Sequence, residues 1–151
     1  MADTDLIKLY SQRILALAAD IPHAERLTSA DASVMKRSPL CGSTVTVDVR
    51  AEAGTLSDLG MDVKACALGQ ASASILGRAA IGASGAELAA GRDALRALLK
   101  EGAAVPQGRF AEIEVLTPAR EHKNRHASIL LAWDAVVEAL AKAEQPLEQQ
   151  A

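Results

Sequence analysis

Ser43-Thr-Val-Thr-Val-Asp-Val-Arg50 alternates without a break, placing Val45, Val47 and Val49 on one face and Thr44, Thr46 and Asp48 on the other. Period two over eight residues predicts a half-buried strand. Downstream, Leu59, Met61 and Val63 alternate with Asp58, Asp62 and Lys64, and Glu52-Ala-Gly-Thr55 between the runs carries turn chemistry. Two such runs across a short Gly-containing link predict a hairpin, and Ser33 to Arg37 adds a shorter third strand. The expected sheet is antiparallel with one wet face.

Outward from the sheet the pattern turns helical. Leu6, Leu9, Tyr10, Ile14 and Leu17 recur at helical spacing behind the capping residues Asp3, Thr4 and Asp5, and Ile21-Pro22 closes that helix. Ala24 to Ala32 reads as a loop. Past Cys66, Ala67 to Ala80 forms a small-residue helix with Leu68, Ala71, Ile75 and Ala79 on one face. Ser84-Gly-Ala-Glu87 fits a capping box opening a helix through Leu99, and Gly102 to Phe110 connects. The last helix begins near His122–Arg125 and carries Ile129, Leu130, Trp133, Val136, Val137 and Leu140. A helix, then a sheet, then helices make an α+β domain: a small three-stranded antiparallel sheet with helices packed on one face. It spans residues 1–143, with a polar tail over 144–151.

Composition narrows the function. Half of the 151 residues are hydrophobic, enough for one sizeable core, yet only Tyr10, Phe110 and Trp133 are aromatic. Nucleic-acid binding expects basic charge and stacking platforms; a net charge of −3 argues against it. The longest apolar stretches break well before the ~20 residues a membrane span needs. Asp3 and Asp5 stand where a signal peptide would be basic. The expectation is a cytoplasmic protein whose cysteines are thiols or metal ligands rather than a disulfide.

There are two cysteines, and both fall at element boundaries: Cys41 before the long strand, Cys66 where the hairpin hands over to a helix. Antiparallel neighbours start and finish together, so both can sit at one end of the sheet. The positive end of a helix dipole there favours an anion, and two converging thiolates suit a soft metal or a persulfide. Isolated cysteines also serve as small buried hydrophobes, and 24 intervening residues match no zinc spacing. His122 and His126, four apart, share a helix face and can bind metal, but Arg120, Lys123 and Arg125 around them better describe a solvated basic helix start, and the same basic run suits a docking patch for an acidic partner. His23 after its Pro reads as solvated. Gly69 to Gly77 lacks the Lys-Ser/Thr pair of a phosphate loop, so close helix packing explains it better. No Ser-His-Asp order or paired-carboxylate motif marks an enzyme.

Ser-Pro-Leu-Cys-Gly-Ser before the strand, Ala-Cys-Ala-Leu-Gly-Gln-Ala-Ser-Ala-Ser from Ala65, and Leu131-Ala132-Trp133 together resemble the U-type iron–sulfur cluster scaffold family, which has Thr-Cys-Gly-Asp, Gly-Cys-Ala-Ile-Ser-x-Ala-Ser-Ala-Ser and Leu-Ala-Trp in the same order. The resemblance covers nearly the whole chain. The long segment from Gly85 to Arg120 is similar to the sulfur-mobilisation (SufU-type) branch. It implies a non-enzymatic scaffold on which iron and sulfide are assembled, or a zinc-bound sulfur acceptor, with a cysteine desulfurase and cluster-recipient proteins as partners. In the family, three cysteines and an Asp gather at one end of the sheet. Cys41 and Cys66 match the first two cysteines, Ser43 stands at the Asp and Ser128 at the third cysteine. Two thiolates half fill a four-coordinate site. A cluster or metal would then be held by Cys41 and Cys66 with His122 or His126, or by two cysteines from each of two subunits. The competing readings are a persulfide carrier without stable metal, and an interaction module that kept the fold alone.

Overall fold

The computed structural model describes the backbone of residues 3–144 and the side chains of residues 10–144. Helix α1 (Asp3–Ala19) leads into strands β1 (Ala32–Arg37), β2 (Thr44–Glu52) and β3 (Thr55–Lys64). Helices α2 (Ala67–Ala79), α3 (Gly85–Glu101) and α4 (His126–Glu144) follow. The side chains of the capping residues and of Leu6 and Leu9 lie outside the described residues, as does the tail from 145.

The sheet is the expected antiparallel one, in the order β1-β2-β3. Opposite β2, Val45 pairs with Lys36 on one side and Val63 on the other. The β2–β3 turn places Ala53 and Gly54 at φ of 53° and 80°. Two positive values make the primed turn whose twist suits adjacent strands. The valine face is fully buried, with α4 lying across β1 and β2.

The opposite face is less wet than the alternation implies. Asp48 is only 1% exposed, because the loop after α1 folds over it. Its carboxylate accepts from Arg26 Nε at 2.6 Å and Nη2 at 3.0 Å, from the Leu27 amide at 3.0 Å and from the Ser33 hydroxyl. Burial by itself would raise the Asp48 pKa; the hydrogen bonds from Arg26, Ser33 and Leu27 outweigh it and hold the carboxyl below its ordinary value. One carboxylate thus ties Arg26 and Leu27 of the α1–β1 loop to the sheet.

Helix α2 is central rather than amphipathic, with every residue from Ala71 to Gly77 buried. Its serines tie neighbours together. Ser72 Oγ donates to the Ile129 carbonyl at 2.6 Å and accepts from Trp133 Nε1 at 3.0 Å, while Ser74 Oγ donates to the Asp20 carbonyl at 3.3 Å. Small polar side chains let helices approach closely while satisfying each hydroxyl. The capping box at α3 forms as expected: Glu87 N–H donates to Ser84 Oγ and Ser84 N–H to Glu87 Oε1.

One segment departs from the periodicity. Ala111–Glu121 is a 3₁₀ helix of 11 residues containing Pro118, with Ile113, Val115, Leu116 and Ala119 buried. The final α-helix begins at His126, directly after the expected His122–Arg125 region, in which Lys123–Arg125 form a short 3₁₀ turn.

Candidate functional site

The Thr44–Lys64 pairing sets the start of β2 beside the end of β3, so the segments carrying Cys41 and Cys66 leave the sheet at the same end. Cys41 lies in the β1–β2 turn, which is closed by Ser38 N–H donating to the Ser43 carbonyl at 2.8 Å and Gly42 N–H to the Ser38 carbonyl at 2.9 Å. Cys66 is the N-cap of α2, with extended backbone and no side-chain capping bond. The N-cap position leaves its thiol turned to other uses. Both cysteines are reduced and partly exposed.

Two serines join them. Ser43 Oγ lies 3.1 Å from Cys41 Sγ, Ser128 Oγ donates to Ser43 Oγ at 3.0 Å, and Cys66 Sγ lies 3.7 Å from Ser128 Oγ. The result is a continuous polar chain, Cys41–Ser43–Ser128–Cys66, with both hydroxyls buried. Ser128 sits in the first turn of α4. Its approach depends on Gly69 in α2, where an added Cβ would stand 2.7 Å from Ser128 Oγ. A side chain at 69 would have to displace Ser128 or Ala65, so glycine there lets α2 meet Ser128 as closely as it does.

Electrostatics distinguish Cys41. Its thiol is lowered to about 6 by the Ser38 hydroxyl, then the Ser43 hydroxyl and the Ser43 backbone N–H, with burial opposing and Ser128 adding a little. The neutral thiol donates to Ser38 Oγ at 3.3 Å; once ionised it accepts from that hydroxyl instead, and a hydroxyl that donates to a thiolate favours the anion. Sequence reasoning missed Ser38; its signal was the three-residue offset within a tight turn. Because the folded pKa is depressed, the resulting stabilisation is present above the ordinary thiol pKa and is lost as pH falls through about 6. Alkylation of Cys41, followed in a Cys66→Ser background, is expected to rise with a midpoint near pH 6, and Ser38→Ala to move that midpoint upward. A midpoint near the ordinary value of 9.0 would contradict the hydrogen-bond account.

The histidines lie elsewhere. His126, expected in a solvated helix start, is 4% exposed, and its Nε2 lies 3.1 Å from the Ala119 carbonyl. It ties α4 to the preceding 3₁₀ helix. His122 is exposed ahead of α4 beside a pocket it shares with Ile14, Leu15 and Leu68. His23 is exposed, as expected. Among the described residues no three His, Cys, Asp or Glu side chains gather closely enough to hold a metal ion. The donor set is therefore two thiols and two hydroxyls, and it fits a four-coordinate iron or zinc only by half. No described helix is long and apolar enough to cross a membrane.

An α+β domain that gathers two cysteines and two serines at one end of a three-stranded sheet has the architecture of a U-type scaffold. No family model matches the chain. A crystal structure of a nitrogen-fixing NifU-like protein (N-terminal) from Brucella abortus is 44% identical, covers 94% of this chain and 96% of its own, and superposes with a TM-score of 0.86. The iron–sulfur cluster assembly scaffold protein IscU of Thermotoga maritima is 24% identical over 138 residues, 91% of this chain and 96% of that protein. The putative iron–sulfur cluster assembly scaffold protein for the SUF system from Fervidobacterium islandicum AW-1, 19% identical, shares the fold over 88% of this chain and 97% of its own, with a TM-score of 0.79. This chain belongs to the U-type iron–sulfur cluster scaffold family.

Proposed function

We propose that the protein works in iron–sulfur cluster assembly as a two-thiolate scaffold, holding iron or a nascent cluster through Cys41 and Cys66. The observation that supports this is the polar chain Cys41–Ser43–Ser128–Cys66, which keeps both thiols partly open at one end of the sheet. Clusters are ordinarily held by four thiolates, so each chain supplies half of the ligands. The others come from a second copy of the chain or from the protein that delivers or takes the cluster. His122 is the imidazole proposed to join them where a third donor is recruited, and His126 would first have to release Ala119. Zinc is the alternative occupant. A cysteine desulfurase is the proposed source of sulfur.

The lowered thiol of Cys41 favours a second reading, sulfur acceptance. Its thiolate attacks the outer sulfur of a persulfidic donor; the donor S–S bond breaks, the donor leaves as thiolate and Cys41 carries the persulfide, with no net redox change.

Iron, zinc and acid-labile sulfide measured on anaerobically purified protein, before and after reconstitution, test both. Iron with sulfide is expected in the wild type and lost in Cys41→Ser and in Cys66→Ser. Equal loading of the double variant would sink the scaffold reading. Cyanolysable sulfur on Cys41 without iron would establish the acceptor, and neither product would leave a fold that serves interaction alone.

A further inference from the structure

A groove of about 430 Å³ runs from the Ser38–Leu40 turn, immediately before Cys41, to α3 and the start of α4. Five cationic side chains line it, Lys36, Arg37, Arg96, Lys100 and Lys123, against a single carboxylate, Asp134. Lys36 is held by Glu138 at 2.8 Å, and Arg96 lies 3.6 Å from Asp134. Arg37, Lys100 and Lys123 make no ion pair among the described residues. Of the basic run noted in the sequence only Lys123 reaches the groove; the Arg120 guanidinium packs beside Gly102. This concentration of positive charge stands on a chain whose net charge is −3. Like charges gathered in a concave surface repel one another and focus potential toward an anionic visitor. Leu40, 76% exposed, stands on the rim one residue before Cys41 and offers an apolar contact beside the charges.

We propose that this groove seats an acidic segment of the protein that donates sulfur to Cys41. Its carboxylates would pair with Arg37, Lys100 and Lys123, bringing the donor's thiol to the adjoining turn. The proposal rests on Cys41 being the working thiol, but the seat itself is testable without it.

The probe is a fluorescein-labelled peptide of alternating Glu and Leu, with its Gln counterpart as control, titrated against the full chain at low ionic strength and read by anisotropy. The Glu peptide is expected to bind wild type and Cys41→Ser alike, and to bind the Lys100→Gln/Lys123→Gln variant about tenfold more weakly. Arg50→Gln, at the far end of β2, is expected to change nothing. Equal binding of both peptides, equal weakening by Arg50→Gln, or full displacement by inorganic phosphate at constant ionic strength would each overturn the acidic-segment assignment. Adjacency is read with the same peptides bearing a Cys activated as a pyridyl disulfide, on Cys66→Ser protein. Cys41 thiolate displaces the pyridinethiol and forms the mixed disulfide. Faster release from the Glu peptide, lost in Lys100→Gln/Lys123→Gln, supports delivery to Cys41. No Glu preference would overturn delivery while leaving the two-thiolate reading intact; no reaction with either peptide would count against Cys41 itself and end the delivery claim with it.

Discussion

Ser128→Cys is expected to bind zinc at least about tenfold more tightly than the wild type, each tenfold being about 1.4 kcal/mol. Ser128 Oγ already lies 3.7 Å from Cys66 Sγ and 3.0 Å from Ser43 Oγ, which itself touches Cys41 at 3.1 Å. A sulfur in its place stands beside Cys66 and one hydroxyl away from Cys41. Three thiolates with one open position form a recognised zinc site, whereas two thiols with two neutral hydroxyls do not. Because thiolates must lose protons to bind, the gain is expected to grow as pH rises from 6 to 8. Adding Ser43→Asp supplies a fourth donor from the same cluster and is expected to tighten binding further. Competition against a chelator measures both, with far-UV circular dichroism confirming that the fold is retained. Affinity unchanged in Ser128→Cys would mean that α4 does not hold position 128 within reach of the thiols once a metal is present.

Trp133→Ala is expected to cost about 3–5 kcal/mol, a large share of the 5–15 kcal/mol typical of a domain. Trp133 is completely buried, meets Phe110 edge-on with ring centroids 5.0 Å apart, and donates from Nε1 to Ser72 Oγ. On its far side α3 comes so close at Gly91 that an added Cβ would fall 2.9 Å from the Trp133 ring and 2.6 Å from Phe110. The surrounding helices are thus set by this one side chain and collapse poorly around its loss. Trp133→Phe retains most of the ring and gives up the N–H bond, for an expected cost nearer 1–2 kcal/mol. Urea denaturation must be followed by circular dichroism, since Trp133 is the only tryptophan. A near-neutral Trp133→Ala would show that α4 is anchored elsewhere. The effect bears on function because Ser128 lies on the same helix, little more than one turn away.

Where local chemistry decides conformation, the residues announced the structure. Strict alternation gave β2 and β3, the Ala53-Gly54 turn their connection, and Ser84 with Glu87 the start of α3. Where a neighbour far along the chain decides, they did not. Asp48 occupies a position that alternation assigns to water, and only the loop bearing Arg26 and Leu27 makes it a buried anchor. Ala111–Glu121 follows no 3.6-residue period because its turns are 3₁₀, with Pro118 inside. His126 looked solvated amid basic neighbours, yet the Ala119 carbonyl draws it inward.

For the site, the sequence by itself set both cysteines at element boundaries that an antiparallel pair can bring to one end of the sheet, and the Thr44–Lys64 pairing puts them there. It also placed serine at two positions where the family it resembles carries ligands. Only the tertiary structure decided that those serines bridge the thiols, through contacts between residues 62 and 85 positions apart. A hydrogen bond of 3 Å requires helix α4 to be placed to within a few tenths of an ångström. That placement comes from Gly69 against Ser128 and from Trp133 packed on Phe110. Close packing of the whole core sets such distances, and neither propensity nor pattern encodes them.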